Sequence, residues 1–406
     1  MERVVITGMG ILCSIGNNLQ EVKESLLTGR SGMRPIPPAR FSTDQPVYRN
    51  QRGCVLDQAL YEELQAKDDT ILAELSKRVI TEALHDAQLD VASVVSNSDN
   101  TVGLCLATSV CGSYPFMKWM KSRLSEDSPE DDDLLLMTAP TIAGDIAKHF
   151  RINGPLSTIS TACAAGTNSI GRGYDTVAKR QADYVIAGGV DVFTELTFSG
   201  FNILQALSTG DCAPFDEHRD GLNLGDGGAF VVLESLSSAR ARNARIYAEI
   251  KGYAVLNEAY HPTAPCPDGR FALQAMQSAL AFGGIRPEEV DYINAHGTAT
   301  LANDAMEVNA IKNLVAGRAV YVSSTKSMTG HTLGAAGSVE LVMTALGMSD
   351  GFIPPSINIT QPMETLEDNM HIVKDRALSQ PFTTALSNSF GFAGNMASIA
   401  LQKISF

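Results

Sequence analysis

The sequence predicts a layered α/β fold in which one strand–helix cycle runs twice. Three observations lead there. Short β-branched runs alternate with longer stretches of helical spacing. The alternation restarts after a seam near residues 240–246. No low-complexity linker separates the two series, so they are expected to form one compact body.

The first series opens with a strand at 4–8 (Val-Val-Ile-Thr-Gly) that ends in a glycine-bounded turn. Residues 71–88 carry apolar positions at helical spacing and predict an amphipathic helix. Residues 101–106, 184–188 and 230–234 read as buried strands. The second series opens at 246–255 and continues with a helix at 271–282 and strands at 290–294, 319–323 and 384–389. The halves, 1–245 and 246–406, share little residue identity. The acidic stretch 126–133 reads as a solvated loop.

Bulk properties narrow the function classes. Of 406 residues, 44% are hydrophobic and 19% charged, which excludes a disordered chain. A formal net charge of −14 argues against a nucleic-acid footprint, which needs clustered Lys and Arg. Met1-Glu2-Arg3 leads straight into the first strand and not into an apolar signal core. No apolar run reaches the ~18–20 residues needed to span a bilayer, so a cytoplasmic protein is expected. The cysteines at 13, 54, 105, 111, 163, 212 and 266 are odd in number and scattered, with no CxxC pair and no zinc spacing. That pattern predicts a reducing compartment, buried thiols, no disulfide framework and no metal centre.

One thiol stands apart. In Ser157-Thr-Ile-Ser-Thr-Ala-Cys163-Ala-Ala-Gly-Thr-Asn-Ser-Ile170 a β-branched strand leads through small residues into a helical pattern. Cys163 therefore falls at a strand-to-helix turn, where unpaired N–H groups favour a thiolate and are expected to lower the thiol pKa. Its own backbone N–H is placed to donate to an oxyanion. A buried structural cysteine is the ordinary outcome for such a residue, but two distant histidines reverse the odds. His296 (Asn294-Ala-His296-Gly-Thr298-Ala-Thr300) and His331 (Lys326-Ser-Met-Thr-Gly330-His331) each follow an apolar strand and sit in a glycine-containing turn. Strand ends of this kind are where open α/β sheets place their chemistry.

Together with Asn388-Ser-Phe-Gly391-Phe392, Arg219-Asp-Gly-Leu-Asn-Leu-Gly-Asp-Gly-Gly228 and the opening strand, these segments resemble the active-site blocks of β-ketoacyl-[acyl-carrier-protein] synthases, closest to the synthase I/II type. The likeness extends along nearly the whole chain. It implies a thiolase fold, five-layered αβαβα with two similar halves, the first carrying the nucleophile and the second the two histidines. It also implies a dimer, either a homodimer or a heterodimer with a related ketosynthase or chain-length-factor subunit.

The implied reaction is a decarboxylative condensation. Cys163 takes an acyl group from the phosphopantetheine of an acyl carrier protein, with the N–H groups of Cys163 and Phe392 as oxyanion hole. His296 and His331 donate to the enolate formed when malonyl carrier protein loses CO2. Lys326 pairs with Glu340 in support of the histidines. Thr298 and Thr300 hold the pantetheine arm. Gly391 and Phe392 form a gate, with Glu258 as a loop acid. Asn294, Glu340, Ser387 and Asn388 match positions that hold a buried monovalent cation or water in some relatives, and no other cofactor is implied.

Four departures from the family pattern bear on the pathway. Leu301 replaces a usual proline. Ala393 replaces a gating glycine and is expected to limit positive φ. Val110 replaces a bulkier acyl-pocket residue. Lys67-Asp68-Asp69 and Gly210 stand where basic docking residues are common. These make polyketide or polyene synthesis a rival to fatty-acid synthesis. Two other readings remain: a coenzyme A thiolase, which would need a second cysteine absent from 384–396, and a silent chain-length factor, which would lack Cys163.

Overall fold

A computed structural model describes residues 1–41, 48–67, 71–97, 100–125, 138–366 and 368–404. The strands are β1 (Val4–Cys13), β2 (Arg34–Pro35), β3 (Arg52–Gly53), β4 (Val102–Ala107), β5 (Leu156–Ile159), β6 (Tyr184–Asp191) and β7 (Gly227–Ser235). They continue with β8 (Ala248–Asn257), β9 (Tyr292–Asn294), β10 (Val320–Ser323), β11 (Met370–Ile372), β12 (Thr384–Gly391) and β13 (Asn395–Gln402). The helices are α1 (Leu19–Thr28), α2 (Gln58–Lys67), α3 (Leu72–Asp86), α4 (Val91–Asn97), α5 (Ser113–Leu124), α6 (Ala139–Phe150) and α7 (Ala165–Ala178). Then follow α8 (Glu195–Ile203), α9 (Leu236–Ala241), α10 (Arg270–Gly283), α11 (Leu301–Val315), α12 (Lys326–Thr329) and α13 (Ala336–Asp350).

Apart from the short β2–β3 hairpin, the strands join in the order β11-β10-β9-β12-β13-β8-β1-β7-β6-β4-β5. Reading outward from the β8/β1 boundary, the two sides match. β1-β7-β6-β4-β5 runs antiparallel, antiparallel, parallel, parallel, and β8-β13-β12-β9-β10 repeats that pattern. In the sheet, Val4–Ile6 of β1 pairs with Ala248–Ile250 of β8 across the boundary. The strand–helix cycle thus runs twice, as the sequence predicts.

Three apolar clusters define the layers. One packs α3 and α6 on the outer face of the first half's strands. Another packs α10 and α11 on the outer face of the second half's. The third lies between the halves and is built on α7 and α13. This is the five-layered αβαβα thiolase arrangement. The outer helices α3 and α10 are amphipathic, and their extents lie within two residues of those predicted at 71–88 and 271–282. In α13 every residue from Ala336 to Met348 is buried, so it has no polar face and no readable period. The middle layer is tight. A Cβ on Gly166 would lie 2.7 Å from the Ser338 nitrogen, and one on Gly337 would lie 2.1 Å from Thr167 Oγ1.

Strand β1 runs on to Cys13, beyond the predicted 4–8, because all ten of its residues are buried between neighbouring strands and layers. Among the described residues no helix is long and apolar enough to cross a membrane. The acidic stretch 126–133, and Asp68 and Asp69, lie outside the described residues.

Candidate active site

Cys163 lies between β5 and α7, His296 follows β9, His331 follows α12, and Phe392 follows β12. His331 thus lies beyond a short helix and not directly at a strand end, but these segments, from both halves, converge on one cavity of about 300 Å3. It is lined by Cys163, His296, His331, Thr298, Thr300 and Phe392, among others. Cys163 is 7% exposed. The residue before it, Ala162, is held in the left-handed region at φ 48°. Gly391 leaves room for the Cys163 turn, since a Cβ there would lie 3.0 Å from the Cys163 nitrogen.

The thiol sulfur lies in reach of the Phe392 N–H and of its own N–H, and Lys326 adds positive potential. All three favour a thiolate, yet burial outweighs them and pushes the thiol up to about 11. This reverses the expected lowering. The turn does precede a helix, but the thiol itself is almost wholly buried, which disfavours the anion.

Both histidines have a defined tautomer. His331 Nδ1 accepts from the Leu333 N–H at 3.1 Å, so the ring proton of the neutral form is on Nε2. His296 Nδ1 faces Lys326 Nζ at 3.2 Å and must accept from it, which again leaves the proton on Nε2. Burial, and then the nearby Lys326 charge, hold both imidazoles well below their ordinary value, so both are neutral at pH 7. The rings sit with centroids 5.3 Å apart and nearly perpendicular, at 82°.

Lys326 also donates to the His296 carbonyl at 2.6 Å and pairs closely with Glu340 Oε1. Burial pushes Glu340 up to about 7, with Lys326 opposing the shift.

Residues 1–239 match the Beta-ketoacyl synthase, N-terminal domain, and residues 247–360 match the Beta-ketoacyl synthase, C-terminal domain. The chain belongs to the beta-ketoacyl synthase family. It is 38% identical over 415 residues to the 3-oxoacyl-[acyl-carrier-protein] synthase 2 of Staphylococcus aureus, covering 99% of this chain and 98% of that one. It is 37% identical over 417 residues to the Synechocystis protein of the same name, with the same coverage. Among solved structures, the ishigamide ketosynthase/chain length factor aligns with a TM-score of 0.92 at 32% identity over the full length of both chains. A type II PKS acyl-carrier protein in complex with its ketosynthase aligns at 0.90 and 28% identity, again over both full lengths.

The synthase carries supporting residues that its motifs do not reveal. Glu307 accepts from the His296 and Gly297 N–H groups, each at 2.8 Å, and from Asn388 Nδ2 at 3.2 Å. Burial pushes it up to about 7. Asp304, one turn earlier, accepts from the Phe215 and Ala299 N–H groups at 2.9 and 3.1 Å. A readable signal existed. Asp304 and Glu307 fall on the same buried stripe of α11 as Ile311 and Leu314, where carboxylates are out of place.

Phe392 stacks on Phe201 of α8, with centroids 5.6 Å apart at 24°. Ala393 donates to the Pro262 carbonyl at 2.7 Å, and its own carbonyl accepts from Asn257 Nδ2 at 2.6 Å. Its φ of 59° is in the left-handed region. Alanine has therefore not kept the gate out of positive φ. It has entered that region with some strain. Glu258 lines the cavity and accepts from the Cys266 N–H at 3.2 Å. Thr298 and Thr300 hydroxyls lie 2.9 Å apart, and Thr300 also caps α11.

Val110 does not line this cavity. It packs in a separate apolar cluster with Phe193, Phe198 and Leu333. Asn294 Oδ1, Ser387 Oγ and Glu340 Oε2 are buried with no hydrogen-bond partner among the described residues, and Asn294 and Ser387 face each other across β9 and β12.

Proposed function

We propose that this synthase condenses an acyl group held on Cys163 with a malonyl unit on an acyl carrier protein, in fatty-acid or polyketide synthesis. The observation that carries the reading is one cavity holding a thiol and two neutral imidazoles, each with Nδ1 engaged and an Nε2–H left to donate.

In the first half-reaction the Cys163 sulfur attacks the acyl thioester while the N–H groups of Cys163 and Phe392 stabilise the oxyanion. The thiol arrives protonated, and its proton ends on the departing pantetheine sulfur. In the second, malonyl carrier protein loses CO2 and negative charge grows on its thioester oxygen. Two Nε2–H donors lower that barrier, because they bind the enolate more tightly than the ground state. The carbanion attacks the Cys163 thioester, releasing the 3-oxoacyl carrier product. The Cys163 thiolate then recovers a proton from solvent.

Lys326 and Glu307 orient His296, while Thr298 and Thr300 offer hydroxyls to the pantetheine arm. The three partnerless oxygens of Asn294, Ser387 and Glu340 have the chemistry to hold a monovalent cation or a water beneath the site.

The arm must enter through the cavity mouth, so the carrier body rests on its rim. There Leu204 and Leu301 are exposed, with Ile203 alongside. A partner chain fits the edge strand β5, whose Leu156 is 49% exposed, and α5, whose Leu124 is 79% exposed. That partner is a second copy or a related subunit. The halves 1–245 and 246–406 and a cytoplasmic setting belong to the same reading.

The test is intact-protein mass spectrometry after mixing with acyl carrier proteins of several chain lengths, followed by peptide mapping. An acyl mass on Cys163 supports the reading. Loading at another residue, or none with any carrier in the presence of a co-purified partner, would sink it.

A further inference from the structure

Asp191, the last residue of β6, is fully buried and has no cationic partner among the described residues. Its Oδ1 accepts from Thr108 Oγ1 at 2.6 Å and from the Val110 N–H at 3.1 Å. Its Oδ2 accepts from the Ser109 N–H at 2.9 Å and from the Gly334 N–H at 2.6 Å. A buried carboxylate answered only by neutral donors is costly, and burial pushes this one up to about 6. An acceptor-only group is what this position requires, since the donors arrive from two segments far apart in the chain.

Each segment leads to a different reacting group. Ser109 Oγ donates to the Ala162 carbonyl at 2.8 Å. That carbonyl shares a planar trans peptide with the Cys163 N–H, so fixing one aims the other. On the second side, Gly334 follows Leu333, which sits at φ 53° and whose N–H sets the His331 tautomer. The fit around Gly334 is close. A Cβ there would lie 2.7 Å from Asp191 Oδ2 and 2.6 Å from Ser109 Oγ.

We propose that Asp191 is a positioning residue, a clasp that locks the nucleophile turn and the His331 turn to each other through the loop 108–110. One arm aims the Cys163 N–H at the acyl oxyanion. The other holds the Leu333–Gly334 peptide, so that His331 keeps Nε2–H directed into the cavity. The role of each arm in turnover rests on the condensing reaction proposed above, but the tautomer of His331 does not.

The experiment compares Asp191→Asn and Ser109→Ala in the full-length protein. It reads thermal melting, acyl loading of Cys163, CO2 release from malonyl carrier protein, and the 15N shifts of His331. Asparagine turns one acceptor into a donor facing an N–H. Asp191→Asn is expected to slow both half-reactions by about 10-fold or more, and to mix the His331 tautomers. Ser109→Ala is expected to slow acyl loading more than CO2 release and to leave His331 on one tautomer. A folded Asp191→Asn with unchanged His331 shifts and both rates near wild type would overturn the clasp, as would equal losses in Ser109→Ala. Should Asp191→Asn fail to fold, Thr108→Val removes a single donor and must show the same losses in milder form. No effect there overturns the proposal. Wild-type protein inert with every carrier would sink the condensing role, leaving the His331 shifts to judge Asp191.

Discussion

Lys326 Nζ lies 3.2 Å from His296 Nδ1 and 2.6 Å from the carbonyl oxygen of the same residue, so one ammonium fixes both the ring and the backbone of His296. The same nitrogen meets Glu340, and all three residues are buried. Lys326→Met should therefore cost twice. It releases the His296 tautomer, and CO2 release from malonyl carrier protein should fall by ~10²-fold, the size seen when one oxyanion-type donor is lost. It also leaves Glu340 buried without its cation, which typically destabilises by about 3–5 kcal/mol unless the carboxyl takes a proton. Acyl loading of Cys163 should suffer less. Equal loss in both half-reactions would contradict the assignment of Lys326 to His296.

Stability should rise as pH falls from about 8 towards 7. Glu307 and Glu340 are both raised to about 7 by burial, so the folded chain takes up protons there before the unfolded chain does. Their stabilisation is full below the ordinary glutamate value and is lost as pH rises through about 7. The imidazoles of His296 and His331 act oppositely. Their folded values are depressed, so below 6.5 the unfolded state gains protons that the folded state refuses. The expected melting profile climbs from pH 8 to about 6.5 and levels off below that, where the two effects oppose each other. Glu307→Gln should flatten the climb. A wild-type slope in that variant would exclude Glu307 as its source.

Ala393, next to Phe392, holds φ 59°, a conformation that costs a non-glycine residue about 1 kcal/mol. Opening that carries φ out of this region releases the strain, so alanine favours the open state relative to glycine. Ala393→Gly should accordingly slow labelling of Cys163 by iodoacetamide, by roughly 5-fold for 1 kcal/mol. Faster labelling would mean that the gate opens with residue 393 still left-handed.

Much of this was legible beforehand, for reasons that differ by element. Strands such as β6 are buried on both faces and read as unbroken apolar runs, while α3 and α10 each keep one polar face. Helix α13 and strand β13 escaped notice. The first is buried all round and so shows no period, and the second mixes Met396, Ile399 and Leu401 with small residues and so shows no clean alternation. Cys163, His296 and His331 were found from local motifs. Asp191 was not, because it acts across 143 residues to Gly334, and nothing near it in the chain records that meeting. Phe201 was missed for the same reason, since its partner Phe392 lies in the other half of the chain.

The rim of the cavity points to the last expectation. Ile203, Leu204 and Leu301 are exposed there by 76%, 49% and 63%. The arginines nearby are engaged with acids: Arg52 lies 3.0 Å from Asp211, and Arg49 lies 3.9 Å from Asp220. Such cations offer little net field to an acidic carrier, so apolar contact should dominate docking. Raising NaCl from ~50 to ~500 mM shortens the screening length several-fold yet should change KM for the carrier only slightly. Leu204→Glu should raise that KM by about 10-fold at nearly constant kcat, because it opposes docking and touches no reacting atom. A steep salt dependence with an indifferent Leu204→Glu would mean that the carrier instead finds unpaired cations elsewhere on the surface.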